Sequence, residues 1–256
     1  DNGYTFTVST QLLDSMTVSS SYTSIVMGSL GTVKFNGKNT GGAAGKYDEE
    51  VPQAYEQSSD AIGNSSDLIG NQLDSSSITY NSPAFEYAGA TLSFDADYSP
   101  QATDEGTIGD GGQMTVSAST GKGYGLGVTA KYDALTIGVY GNEIENKTPN
   151  AAGNDAVRDS FGGVWYAKYS VGALSFGFSQ SYLDSGLVGA AEATTDAKVA
   201  RTAAGIFEGE SMSVAYNIND NLSISWTETD DTYNPQSEAG TAAAIANVET
   251  STTAIQ

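Results

Sequence analysis

The strongest constraint on this chain is a period of two. In YTFTVST, Tyr4, Phe6 and Val8 share one face and Thr5, Thr7 and Ser9 the other. TVKFN sets Val33 and Phe35 against Thr32, Lys34 and Asn36. ATLSFDADY, YGLGVTAKYD, LSFGFSQSY, SMSVAYN and NLSISWT repeat the alternation, which is that of a half-buried strand. About twelve strands are expected, near 3–10, 20–27, 31–37, 76–82, 89–98, 112–132, 135–142, 160–170, 174–183, 205–217, 221–228 and 242–256. Their connections also alternate. Short turns fall at Met27–Gly31, Asp133–Ala134, Val171–Ala173 and Asn217–Asn221, with a longer link at Asn81–Gly89. Long polar loops fall at Lys38–Ser75, Ser99–Gly112, Asn142–Ser160, Asp184–Ala203 and Glu228–Gly240. Short and long links in turn describe an up-and-down meander whose two ends face different surroundings.

Two architectures share this pattern. In a soluble sandwich the apolar face is the core. In a membrane barrel the apolar face meets lipid and the polar face lines a wet lumen. The polar positions here are mostly Ser, Thr and Gly, with few of the lysines and glutamates of a soluble surface. Tyr80, Tyr98, Tyr132, Tyr169, Tyr182 and Tyr216 lie near strand ends, where a ring suits the headgroup level. The fold class expected is all-β, a transmembrane antiparallel up-and-down β-barrel forming one domain over 1–256. A secreted or surface-layer β-protein that binds calcium or glycans through acidic loops is the alternative of another class.

Composition removes other functions. The chain has no cysteine and no histidine, so thiol chemistry is excluded and the commonest general base and metal ligand are missing. Its 31 acidic and 10 basic residues give a net charge of −21. That opposes nucleic-acid binding, which needs a basic footprint. Asp95 and Asp97 could be read as a carboxylate pair, but neighbours two apart on an open strand have no pocket. TGKGYGLG at 120–127 lacks the ending of a phosphate loop; its glycines relieve crowding or permit bending. No catalysed reaction is expected.

The order GSLGTVKFNG, then GGAAGKYDE, SSITYNSPAFEYAGATLSFDADYS, YDAL, IGVYGNE and YAKYSVGALSFGFSQSY resembles the general porins of Gram-negative outer membranes, of the alphaproteobacterial type. The resemblance implies an outer-membrane diffusion channel for small hydrophilic solutes and ions, embedded among lipid and lipopolysaccharide, and a homotrimer with the early strands at its interface. Outward small residues such as Ser24 and Val26 would suit that interface. It also implies roughly sixteen strands in the full protein. The expectation is therefore a segment incomplete at both ends, with a complete twelve-stranded barrel as the alternative.

The resemblance further implies that 38–75 folds inward as a constriction loop. Asp48, Glu49, Glu50, Glu56, Asp60, Asp67 and Asp74 would then stand at the eyelet. Face parity gives Lys34, Asp95, Asp97, Lys131 and Lys168 as lumen-facing charges, with Arg158 and Arg201 near strand tops. A thin basic wall opposite an acidic loop implies cation preference. No cofactor is required; calcium is a candidate ligand of the acidic loops, although no spacing is diagnostic. The outer loops at 104–106, 110–112 and 229–231 are acidic too, readable as solubility or as cation bridging to lipopolysaccharide. A plugged or solute-specific barrel would share all these features.

Overall fold

The computed structural model describes residues 3–48, 50–53, 73–100, 102, 120–146, 155–156, 158–188, 205–235 and 248–256. Its strands are β1 (Thr5–Leu12), β2 (Val18–Val26), β3 (Thr32–Lys38), β4 (Ser77–Asn81), β5 (Phe85–Tyr87), β6 (Ala90–Ser99), β7 (Thr120–Tyr132), β8 (Leu135–Asn146), β9 (Asp155–Ala156), β10 (Ser160–Val171), β11 (Leu174–Asp184), β12 (Leu187–Val188), β13 (Gly205–Asn219), β14 (Leu222–Pro235) and β15 (Val248–Ile255). One antiparallel sheet runs β1-β2-β3-β4-β6-β7-β8-β10-β11-β13-β14-β15, with β5 paired to β6 off this path. Strands β9 and β12 form a separate two-stranded patch. Among the described residues β1 and β15 do not pair with each other, so the sheet is not closed.

The expected short turns are present. Met27–Gly31 closes through a 2.8 Å hydrogen bond from the Met27 amide to the Gly31 carbonyl. Asp133 and Gly172 take left-handed backbone (φ 51° and 58°) in two-residue turns, the geometry that matches strand twist. The register also shows tilt. A row across the strands that starts at the first of these turns, Tyr132↔Leu135, continues through Tyr169↔Phe176 to Val214↔Trp226. It therefore meets β10 before its turn pair Val171↔Leu174, and β13 well before Asn219↔Leu222. Stagger accumulating in one direction is what tilted barrel strands produce.

Sidedness follows the sequence pattern but with inverted burial. Leu126 is 70% exposed and Phe6 64%, and Val8, Val139, Phe176 and Ile224 are exposed as well. Ser179, Ser211, Ser213, Thr227 and Thr229 on the opposite face are buried. The buried face is the inner one, the same face on which Tyr47 lies over Gly127 and Pro52 over Gly177.

Several expectations change. The Asn81–Gly89 link contains β5, whose Phe85 stacks on Phe94 at 5.4 Å. Strand β8 continues to Asn146, and β14 runs through TETDDTYNP to Pro235 where a loop from Glu228 was expected. Polar residues occupy both faces of this stretch, so apolar alternation does not reveal it. Ser24 pairs with Thr7 and Lys34, and Val26 with Thr5 and Thr32, which puts both on the inner face; Ile25, Thr23 and Ser21 face outward instead.

Candidate functional site: an inner segment clamped to the wall

The chain leaves β3 into a loop whose two arms meet at its base. The Thr40 hydroxyl and amide both donate to the Asp74 carbonyl (2.7 and 3.2 Å), and the Asn39 amide donates to Ser75 Oγ at 3.0 Å. Lys34 Nζ, on β3 itself, donates to the Thr40 carbonyl at 3.0 Å. Gly42 then turns the chain inward with φ 53°. A side chain there would be strained, and its Cβ would stand 2.9 Å from the Leu73 carbonyl oxygen. The short 3-10 turn Ala44–Lys46 follows.

Two buried carboxylates of β6 receive this turn. Asp97 accepts the Ala43 amide on both oxygens (3.0 and 2.9 Å), the Thr79 hydroxyl at 2.5 Å and the Tyr140 hydroxyl at 2.9 Å. Asp95 accepts Lys46 Nζ at 2.5 Å, Asn81 Nδ2 at 2.5 Å and the Tyr47 hydroxyl at 2.6 Å. A buried carboxylate is tolerated only when donors replace its water, and each of these has at least three. Farther on, Glu50 pairs with Lys168 of β10.

Glycines on the inner phase of the strands make the room. A Cβ at Gly127 would lie 2.5 Å from Tyr47 Cζ and Oη, and one at Gly125 would meet Tyr140 Oη. Gly138 lies under Tyr166, and Gly177 under Pro52. Tyr47 stacks on Tyr140 at 5.5 Å and tilts against Tyr166 at 6.3 Å. Lys168 sits 5.1 Å above the Tyr166 ring. The segment from Ala43 to Pro52 thus touches β6, β7, β8, β10 and β11 on one face. Burial and the Asp95 hydrogen bond push the Tyr47 phenol well above its ordinary range.

The expected site residues now have places. Asp95, Asp97 and Lys168 face inward; the two aspartates are covered and saturated rather than open to a lumen. Asp48 is half-buried, following Tyr47. Asp74 is buried at the loop base. Glu50 is held by Lys168. Lys34 faces inward beside Asn36, while Lys131 is exposed near the β7–β8 turn. Glu49, Glu56, Asp60, Asp67 and Arg201 lie outside the described residues, as do 104–106 and 110–112. At 229–231, Asp231 is buried on the inner face of β14 and Asp230 faces out.

Arg158 makes a two-pronged contact with Asp184 at 2.6 and 2.9 Å beside the β9–β12 patch. That carboxylate raises the guanidinium's pKa further, against partial burial. No group of three or more acidic residues among the described residues is placed to hold a metal ion. Sequence reasoning missed Lys46, Tyr47 and Tyr140; inward glycines in alternate positions of β7 were the available signal.

No family model matches the sequence, and no curated protein matches it. Solved structures do. OmpF of Salmonella typhi, in complex with daunomycin, aligns over 92% of this chain and 66% of its own, with 14% identity and a TM-score of 0.55. The fold is that of OmpF. OmpT of Vibrio cholerae aligns over 86% of this chain and 60% of its own, at 14% identity and a TM-score of 0.47. A porin refined at 1.8 Å aligns over 93% and 82%, at 10% identity and 0.42. The chain thus spans 60% of the length of OmpT and 66% of that of OmpF.

Proposed function

We propose that the chain forms the wall and inner loop of a porin-like outer-membrane barrel, through which small hydrophilic solutes and ions diffuse. The observation that carries this reading is the inverted sidedness. Large apolar side chains are exposed on one face of the sheet, while hydroxyls and carboxylates are buried on the face that holds the Ala43–Pro52 segment. A soluble sandwich would bury the apolar face. A wall in lipid exposes it, and needs no chemistry beyond a polar path, a narrowing and an apolar belt. No reaction is catalysed in this reading.

Cation preference is supported by the net charge of −21 and the acidic composition of the loop, although Asp95, Asp97 and Glu50 are paired off. A homotrimer is supported by the outer face of β1–β3, where Ser21, Thr23 and Gly37 leave a shallow depression beside Val8 and Phe35. Calcium and lipopolysaccharide contacts would fall to the acidic outer loops. The test is conductance of the detergent-extracted protein in planar bilayers under a salt gradient. Steps in threes with a cation-selective reversal potential support channel, trimer and preference together.

A plugged barrel is the second reading, and one observation favours it. Thr227 and Thr229 on the inner face of β14 are each 1% exposed, and Ser179, Ser211 and Ser213 beside them are buried. An inner wall covered this closely leaves less open water than a wide pore. A protein that inserts into bilayers without conducting would decide for the plug.

A further inference from the structure

We infer that Lys46 is a specificity-determining residue of the channel, the fixed ammonium that small anions and the carboxylate end of zwitterionic solutes meet as they pass. The inference rests on the channel reading above and concerns which charge faces the solute.

Lys46 and Asp95 form a lopsided pair. The Lys46 side chain is 50% exposed and that of Asp95 1%. Asp95 is sealed on its other sides by Tyr47 and Asn81 at 2.6 and 2.5 Å. Asp97, next on the same face, is sealed by Ala43, Thr79 and Tyr140. What the Lys46–Asp95 pair presents to the lumen is therefore its ammonium, with the carboxylate behind it. The Glu50–Lys168 pair is balanced by contrast, its side chains 29% and 32% exposed. Composition alone would make the whole segment negative; the folded segment puts a positive point at its fixed end. A charge at a narrowing sets the field an ion crosses. In water, one unit charge about 4 Å away changes the occupancy of a single ion by about five-fold.

A simple clamp role predicts something different. If Lys46 only held the loop, loosening the pair from either side would move the channel in the same direction. If Lys46 sets selectivity, Lys46→Gln and Asp95→Asn shift the charge in opposite directions.

The experiment is the reversal potential in a potassium chloride gradient, for wild type, Lys46→Gln, Lys46→Arg and Asp95→Asn in planar bilayers. The expected result is a cation-to-anion permeability ratio raised several-fold by Lys46→Gln, lowered by Asp95→Asn and unchanged by Lys46→Arg. Normal conductance with an unchanged ratio in Lys46→Gln overturns the inference and leaves the channel reading standing. So do shifts of the same sign in Lys46→Gln and Asp95→Asn. Wild-type protein that inserts but never conducts overturns the channel reading itself, and the inference with it.

Discussion

Tyr47 occupies the space that a side chain at Gly127 would fill, its ring atoms 2.5 Å from the position of the missing Cβ. One residue comes from the inner segment and the other from β7, so the contact fixes the segment to the wall by shape. The hydrogen bond from Tyr47 to Asp95 fixes it by charge.

Gly127→Val is expected to expel the Tyr47 ring and weaken its bond to Asp95. A hydrogen bond to a charged acceptor is worth about 1.5–3 kcal/mol, and the clamp loses that order of stability. Limited proteolysis within 43–53 should become faster, while the strands stay protected. Unaltered cleavage would mean that the ring is held by other contacts.

Asp97→Ala removes the acceptor for the Ala43 amide and for the Thr79 and Tyr140 hydroxyls at once. Buried donors left unpaired cost about 1–3 kcal/mol each before relaxation, so a loss of several kcal/mol is expected. Thermal unfolding in detergent measures it. Asp97→Asn, which retains an acceptor oxygen, should lose less than half as much.

Alkaline pH tests the same clamp. Burial first, and then the hydrogen bond to Asp95, raise the Tyr47 phenol above its ordinary value of 10.0. The folded value is the higher one, so the contribution is fully present below pH 10.0 and is lost as pH rises through the folded value. Proteolytic protection of 43–53 should hold to that pH and fall beyond it, and Tyr47→Phe should remove this transition.

The two tryptophans report sidedness. Trp226 lies in the outer row with Val214 and Ile255, and Trp165 pairs with Val139 and Gln180 two outer rows away. Bromine on lipid acyl chains should quench both fluorophores in reconstituted protein, each isolated by Trp→Phe at the other site. Quenching of neither would place the apolar face away from lipid and return the surface-layer β-protein to first place.

The wall was readable because its outer residues are apolar and its inner ones polar, so period two survives in composition. It failed where both faces are polar. In TETDDTYNP, Thr227, Thr229, Asp231 and Tyr233 face in and Glu228 and Asp230 face out, which reads as a loop. It failed too on β2, where SSSYTS offers no contrast between faces and Ser24 was given the wrong one. Half of the clamp was legible: parity alone turns Asp95, Asp97 and Lys168 inward. Their partners were not, because Tyr47 and Asp95 are 48 positions apart and meet only in the folded wall. The inward glycines at 125, 127, 138 and 177 are the sequence trace of that contact.

Because the chain has no cysteine, Lys46→Cys introduces a single thiol at the exposed end of the clamp. Its modification by a bulky, charged methanethiosulfonate reagent, followed on one open channel in a bilayer, asks directly whether the Ala43–Pro52 segment borders the path of ions. The account predicts a discrete fall in conductance as the thiol reacts, with no effect on wild type. Complete modification, verified by mass, with conductance unchanged would mean that the ions pass elsewhere.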